Sequence, residues 1–171
     1  MIQPDALNEN EPLLLSPGRG TDVWAMFRAC IGGDLEAVKR LLDKDPSLAR
    51  CHYAYRTPIY FAVRENRVEV AAFLLEHGAD PLSLAVNDNL LDITRDRGYR
   101  EMENLLETSL ATLHNASSKG EPVAAAISER NPPMVRDLLD AAPGLLQTGD
   151  SRGNLQPTHS LGGDDAPDRY H

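Results

Sequence analysis

Residues 22–50 read DVWAMFRACIGGDLEAVKRLLDKDPSLAR, and residues 119–147 read KGEPVAAAISERNPPMVRDLLDAAPGLLQ. The two stretches start 97 residues apart and share their landmarks. Ala29 falls on Ala126, Val38 on Val135, Leu41–Leu42 on Leu138–Leu139, Pro46 on Pro143 and Leu48 on Leu145. That offset is close to three periods of about 33 residues, and two intermediate copies fill the interval. Units of that length hide their apolar faces against one another. The expected architecture is therefore a stacked array and not a single central core.

The fullest copy runs from His52 to Leu84. Thr57 is placed to cap a first helix by accepting a backbone N–H, and Pro58 then takes the first helical position, where no N–H is needed. Phe61 and Ala62 begin an apolar stripe. Val70, Phe73 and Leu74 continue it on a second helix at i, i+3, i+4 spacing. Gly78 supplies the left-handed residue that ends that helix.

Thr57-Pro58-Ile59-Tyr60-Phe61-Ala62, Val68-Glu69-Val70 with Leu74-Leu75, and Gly78-Ala79-Asp80 together resemble the ankyrin repeat. The resemblance implies an all-α ankyrin-repeat solenoid of stacked helix-turn-helix units. There are about four repeats, and a fifth is aborted. It also implies a non-enzymatic scaffold that binds another protein through a concave groove, with no cofactor. Tyr60 stands where the family carries a loop-tying histidine, so that bond is either absent or made by a hydroxyl.

The other copies depart from the pattern in different ways. The first has Trp24 in place of the opening threonine, with Asp22 as the expected helix cap. The third replaces the usual histidine by Asp92 and the usual alanine by Thr94. The fourth carries Glu121-Pro122 before its first helix and Asn131-Pro132-Pro133 before its second, where prolines suit a turn and a helix start. The fifth begins at Asp150 and reaches Gln156-Pro157-Thr158-His159, then runs into tandem glycines and paired aspartates that support no apolar face. Residues expected to hold the stack are Ala29, Ala62, Ala126, Leu41, Leu74, Leu106 and Leu138. The domain reading is a flexible N-terminal tail over 1–21, an ankyrin-repeat domain over 22–161 and a disordered C-terminal tail over 162–171. It leaves room for the chain to be a shortened form of a longer array.

Composition removes several functions. A net charge of −9 argues against nucleic acid as a partner, since phosphate binding needs a basic surface. No apolar run approaches a membrane span, and Leu13–Leu15 is far too brief for one. The N-terminus has no basic start before an apolar stretch, so no secretory signal is expected and the cytoplasm is the default compartment. Cys30 reads as a small buried filler and Cys51 lies in a connecting segment. The histidines at 52, 77, 114, 159 and 171 form no metal-binding pair, and Cys51-His52 lacks an orienting third group. The Asp164-to-Asp168 run lacks the spacing of a calcium loop and reads as an acidic tail.

Partner-contact candidates follow from the repeat register. Tyr53, Tyr55 and Arg56 sit at the loop tip before the second copy, and tyrosine and arginine are enriched at binding hot spots. Arg64 and Glu65, then Asp96 and Arg97, end the first helices of their copies, and Asp88 sits at a later tip. Tyr53 and Tyr55 equally fit a role as cover for the next repeat's flank, and the charged pairs fit an ordinary solvated face. Two further readings share this architecture. One is a regulatory or targeting segment of a larger enzyme. The other is a dedicated inhibitor of one partner enzyme or toxin.

Overall fold

The computed structural model describes residues 1–85, 88–114 and 118–150. The failing fifth copy beyond Asp150 and the 162–171 tail lie outside them. The chain divides into two compact units, Met1–Leu113 and His114–His171.

In the first unit, helices come in pairs. Helix α1 (Gly20–Gly32) turns through Gly33 and Asp34 into α2 (Leu35–Lys44). The Asp34 carboxylate caps α2 by accepting the Ala37 N–H at 2.9 Å. Helix α3 (Pro58–Arg64) precedes α4 (Val68–Glu76). Thr57 Oγ1 accepts the Tyr60 N–H at 3.4 Å and Pro58 opens α3, as its sequence implies. A two-residue hairpin, β1 (Leu84–Ala85) with β2 (Asp88–Asn89), leads into α5 (Leu90–Arg97) and then α6 (Arg100–His114). Asn89 Oδ1 caps α5 by accepting the Asp92 N–H at 2.8 Å.

The first helices of each pair form one row. Helix α1 packs on α3, α3 on α5, and α2 on α4. Phe27 and Phe61 meet between α1 and α3 with ring centroids 4.8 Å apart. Both are buried, as are Ala29, Ala62, Leu74 and Leu106. Fully burying one such phenylalanine stabilises the fold by about 2–3 kcal/mol. Leu41 is only half-buried, and Val38 and Leu42 fill the interior of α2 instead. Thr94, which replaces an alanine, is fully buried because its hydroxyl donates to the Leu91 carbonyl at 2.7 Å.

Two arginines tie successive repeats together. Arg67 Nε donates to the Ile31 carbonyl at 3.1 Å, and Arg97 Nη1 donates to the Arg64 carbonyl at 2.8 Å. Each acceptor lies in the last turn of the preceding repeat's first helix, where carbonyls lack helical partners. A side chain at Gly33, which has φ +76°, would place a Cβ 2.9 Å from Arg67 Cδ.

The leader departs from the expected flexible tail. Leu7 is buried beside α1, and Gln3 Nε2 donates to the Leu7 carbonyl at 2.7 Å. The Glu11 carbonyl accepts the Gly20 N–H at 3.0 Å and the Glu9 carbonyl accepts the Thr21 N–H at 3.2 Å. These bonds satisfy the first turn of α1 from outside the helix. Asp22 is therefore not the cap: it lies inside α1 and pairs with Lys44 at 2.8 Å.

In the second unit, α7 (Glu121–Ser128) pairs with α8 (Pro132–Ala141). Asn131 Oδ1 caps α8 by accepting the Met134 N–H at 3.2 Å, and both prolines sit at the helix start. Its interior is small: Val123, Ala126 and Val135 are buried, with the half-buried Leu138 against them.

Cys30 and Cys51 are unpaired and buried in the first unit. Burial pushes both thiols well above their ordinary value of 9.0, and at Cys51 the nearby Cys30 and Asp45 add to the rise. The folded chain thus holds protons that the unfolded chain gives up above pH 9. Stability from these groups is complete below that pH and falls above it. At pH 10 the loss is expected to be about 1.4 kcal/mol per thiol. Urea midpoints from pH 8 to 10.5 should fall more steeply for the native chain than for a Cys30→Ala, Cys51→Ala variant, and parallel slopes would contradict this.

A second expectation concerns the arginine ties. Gly33 and Gly78 (φ +90°) both carry left-handed backbone, but only Gly33 has a neighbour within 4 Å. Alanine at either site costs about 1 kcal/mol in strain. Gly33→Ala should cost about 1 kcal/mol more by displacing Arg67 from the Ile31 carbonyl. In an Arg67→Ala background that difference should disappear in equilibrium urea denaturation.

Candidate functional site

The loop tip before α3 is a tight hairpin. Tyr53 and Arg56 exchange two backbone hydrogen bonds, each 3.0 Å. Ala54 (φ 50°) and Tyr55 (φ 61°) between them both adopt left-handed backbone. A two-residue turn of this hand normally takes Asn and Gly. Each non-glycine residue there costs about 1 kcal/mol. Tyr53 is half-buried, whereas Tyr55 is 82% exposed and covers no neighbouring repeat.

Facing this hairpin is a loop of the leader. The Gly18 carbonyl accepts the Leu13 N–H at 3.2 Å, closing residues 13–18. The His52 N–H donates to Ser16 Oγ at 2.8 Å and ties that loop to the hairpin. Between them lies a cleft of about 450 Å³, with Leu13, Leu14 and Leu15 on one wall and Tyr53 and Tyr55 on the other. Leu14 is 96% exposed and Leu15 82%. This wall is not among the residues that the repeat register points to; its sequence signal is three consecutive leucines, Leu13–Leu15, in an otherwise polar leader.

The remaining candidates separate into engaged and free groups. Arg64 Nη2 lies 2.7 Å from Glu65 Oε1, and its guanidinium sits 5.2 Å from the Phe61 ring centroid and 5.7 Å from that of Tyr60. Partial burial alone lowers the Arg64 pKa, but hydrogen bonds to Glu65 and Tyr60 outweigh it and the net shift is upward. Arg97 is committed to the Arg64 carbonyl. Arg64, Glu65 and Arg97 therefore form one bonded cluster that holds α3 to α5. Asp96 and Arg56 are exposed and carry no side-chain hydrogen bond or ion pair among the described residues. The Asp88 backbone pairs with Ala85 in the β1–β2 hairpin.

Chemistry for catalysis is not assembled at these positions. Cys51 is buried with its thiol held protonated, while the adjacent His52 is exposed. A neutral thiol in an apolar setting is a poor nucleophile. Among the described residues, no group of three or more His, Cys, Asp or Glu side chains is placed to hold a metal ion. No helix among them is long and apolar enough to cross a membrane.

A family model for ankyrin repeats, in 3 copies, matches residues 8–85. A probable E3 ubiquitin-protein ligase XBOS31 of Oryza sativa subsp. japonica is 38% identical over 68 residues, 39% of this chain and 15% of the relative. The 2-5A-dependent ribonuclease of Mus musculus is 36% identical over 61 residues, 35% of this chain and 8% of the relative. Alpha-latrocrustotoxin-Lt1a of Latrodectus tredecimguttatus is 28% identical over 131 residues, 75% of this chain and 9% of the relative. The matches thus span no more than 15% of the length of these relatives. With paired helices, the hairpin ahead of α3 and this match, residues 8–85 carry repeats of the ankyrin family.

Proposed function

We propose that this chain is a non-catalytic recognition module that binds another protein through the side bearing its hairpin tips. Ankyrin repeats generally mediate protein–protein interaction. The observation that carries the reading is the Tyr53–Arg56 hairpin, whose tight turn presents an exposed tyrosine and an exposed arginine that has no side-chain bond among the described residues. Tyrosine and arginine are enriched among the few residues that dominate interface energies. Asp96 adds an exposed charge with no ion pair among the described residues, next in sequence to the bonded Arg64, Glu65 and Arg97 cluster. Nucleic acid is disfavoured as the partner by the net charge of −9. Two unpaired, protonated thiols accord with a cytoplasmic setting.

A second reading has its own support. Relatives named as an E3 ubiquitin-protein ligase and a ribonuclease match over 15% and 8% of their lengths. On this reading the chain is the targeting segment of a larger enzyme, and the recognition surface is the same.

Affinity purification of the intact chain with quantitative mass spectrometry tests the proposal. A partner held by the native chain should fall at least tenfold with a Tyr53→Ala, Tyr55→Ala, Arg56→Ala variant whose circular dichroism is unchanged. Equal recovery by both proteins would remove the hairpin tip from the recognition surface.

A further inference from the structure

The leader, residues 1–19, is fastened to the first repeat in a different manner from the repeats to one another. Among the described residues 1–19, Leu7 alone is buried. Helix α3, by contrast, buries Ile59, Phe61, Ala62 and Val63. Most other fastenings of the leader are hydrogen bonds. Thr21 Oγ1 donates to Asn10 Oδ1 at 3.2 Å and the His52 N–H to Ser16 Oγ, both at the exposed surface. The Gly20 and Thr21 N–H groups, which no helical carbonyl can serve, are held by the Glu11 and Glu9 carbonyls.

The seat beneath takes a chain that lies flat. A Cβ on Gly18, where φ is +89°, would lie 2.5 Å from Leu48 Cδ2 and 3.3 Å from Val23 Cγ2. Both of those side chains are fully buried. The leader thus covers apolar groups of the first repeat with bare backbone and one leucine. Few buried apolar contacts and hydrogen bonds at the surface put a segment at the low-stability end of a fold, where it opens while the rest stays folded.

We infer that the leader is a strap that opens from the first repeat as one unit while the helix pairs stay folded, with Leu7 as its anchor. Closed, it sets Leu13, Leu14 and Leu15 beside Tyr53 and Tyr55. Open, it takes them away and uncovers Val23 and Leu48. The hairpin tip is thereby presented in two forms. The strap stands whether or not that tip meets a partner.

Hydrogen exchange of the intact chain, followed amide by amide in NMR at low urea, tests the inference. The Gly20, Thr21 and His52 amides report on the strap, since its oxygens accept from all three. Their protection should be at least tenfold below that of Arg67 and Ala71, which bond within the second repeat, and nearly independent of urea. Leu7→Ala should lower protection at His52 at least tenfold although the two residues are 45 apart in sequence, with helical circular dichroism retained. Ser16→Ala should lower it at least threefold at Gly20 and Thr21, whose bonds it does not touch. Protection of the three amides that merges with that of Arg67 and Ala71 overturns the inference, because the leader then opens only with the stack. Loss of helical structure in Leu7→Ala overturns it for the same reason. Effects of either variant confined to the bonds nearest it also overturn it, because the leader then does not move as one unit.

Discussion

No helix pair in this chain can shield its own apolar face, and that constraint organises the first unit. The contact of Phe27 with Phe61 shows how it is met, because one ring belongs to the first repeat and the other to the second. Helix α3 is only 7 residues long, well short of what is stable alone. It exists because α1, α4 and α5 pack around it. Capping by Thr57 and the tie from Arg97 then fix where it starts and stops.

Much of this was legible in the residues. Thr57-Pro58, Asn131-Pro132-Pro133 and Gly78 mark boundaries through local chemistry, which a sequence states directly. Landmarks recurring at a fixed offset gave the stacking. The leader was not legible, because its anchoring uses backbone carbonyls of Glu9 and Glu11, and any residue carries a carbonyl. The same holds for Asp22, whose expected cap was already supplied by that backbone. Helix α6 reaches His114 because Leu106 and Leu110 extend its buried stripe where the other repeats turn away.

For the candidate surface, residue type separated poorly from role. Arg56 and Arg97 look alike in sequence, yet one has no side-chain bond among the described residues and the other bonds to a carbonyl 33 residues back. Tyr60 and Tyr55 differ in the same way: one lies against Phe61 and Arg64, the other projects into solvent. Partner choice, on the reading proposed here, lies in side chains that the stack leaves unused, and only the three-dimensional arrangement says which those are.

The arginine ties also single out the middle of this unit. Arg67 reaches back to the first repeat and Arg97 reaches back to the second, so the second repeat is bonded once to each neighbour. Loss of α1 would remove the Ile31 acceptor and loss of α5 the Arg97 donor, so fraying from either side costs one tie. The second repeat is thus clamped on both flanks, and peeling from either side meets it with one clamp still closed.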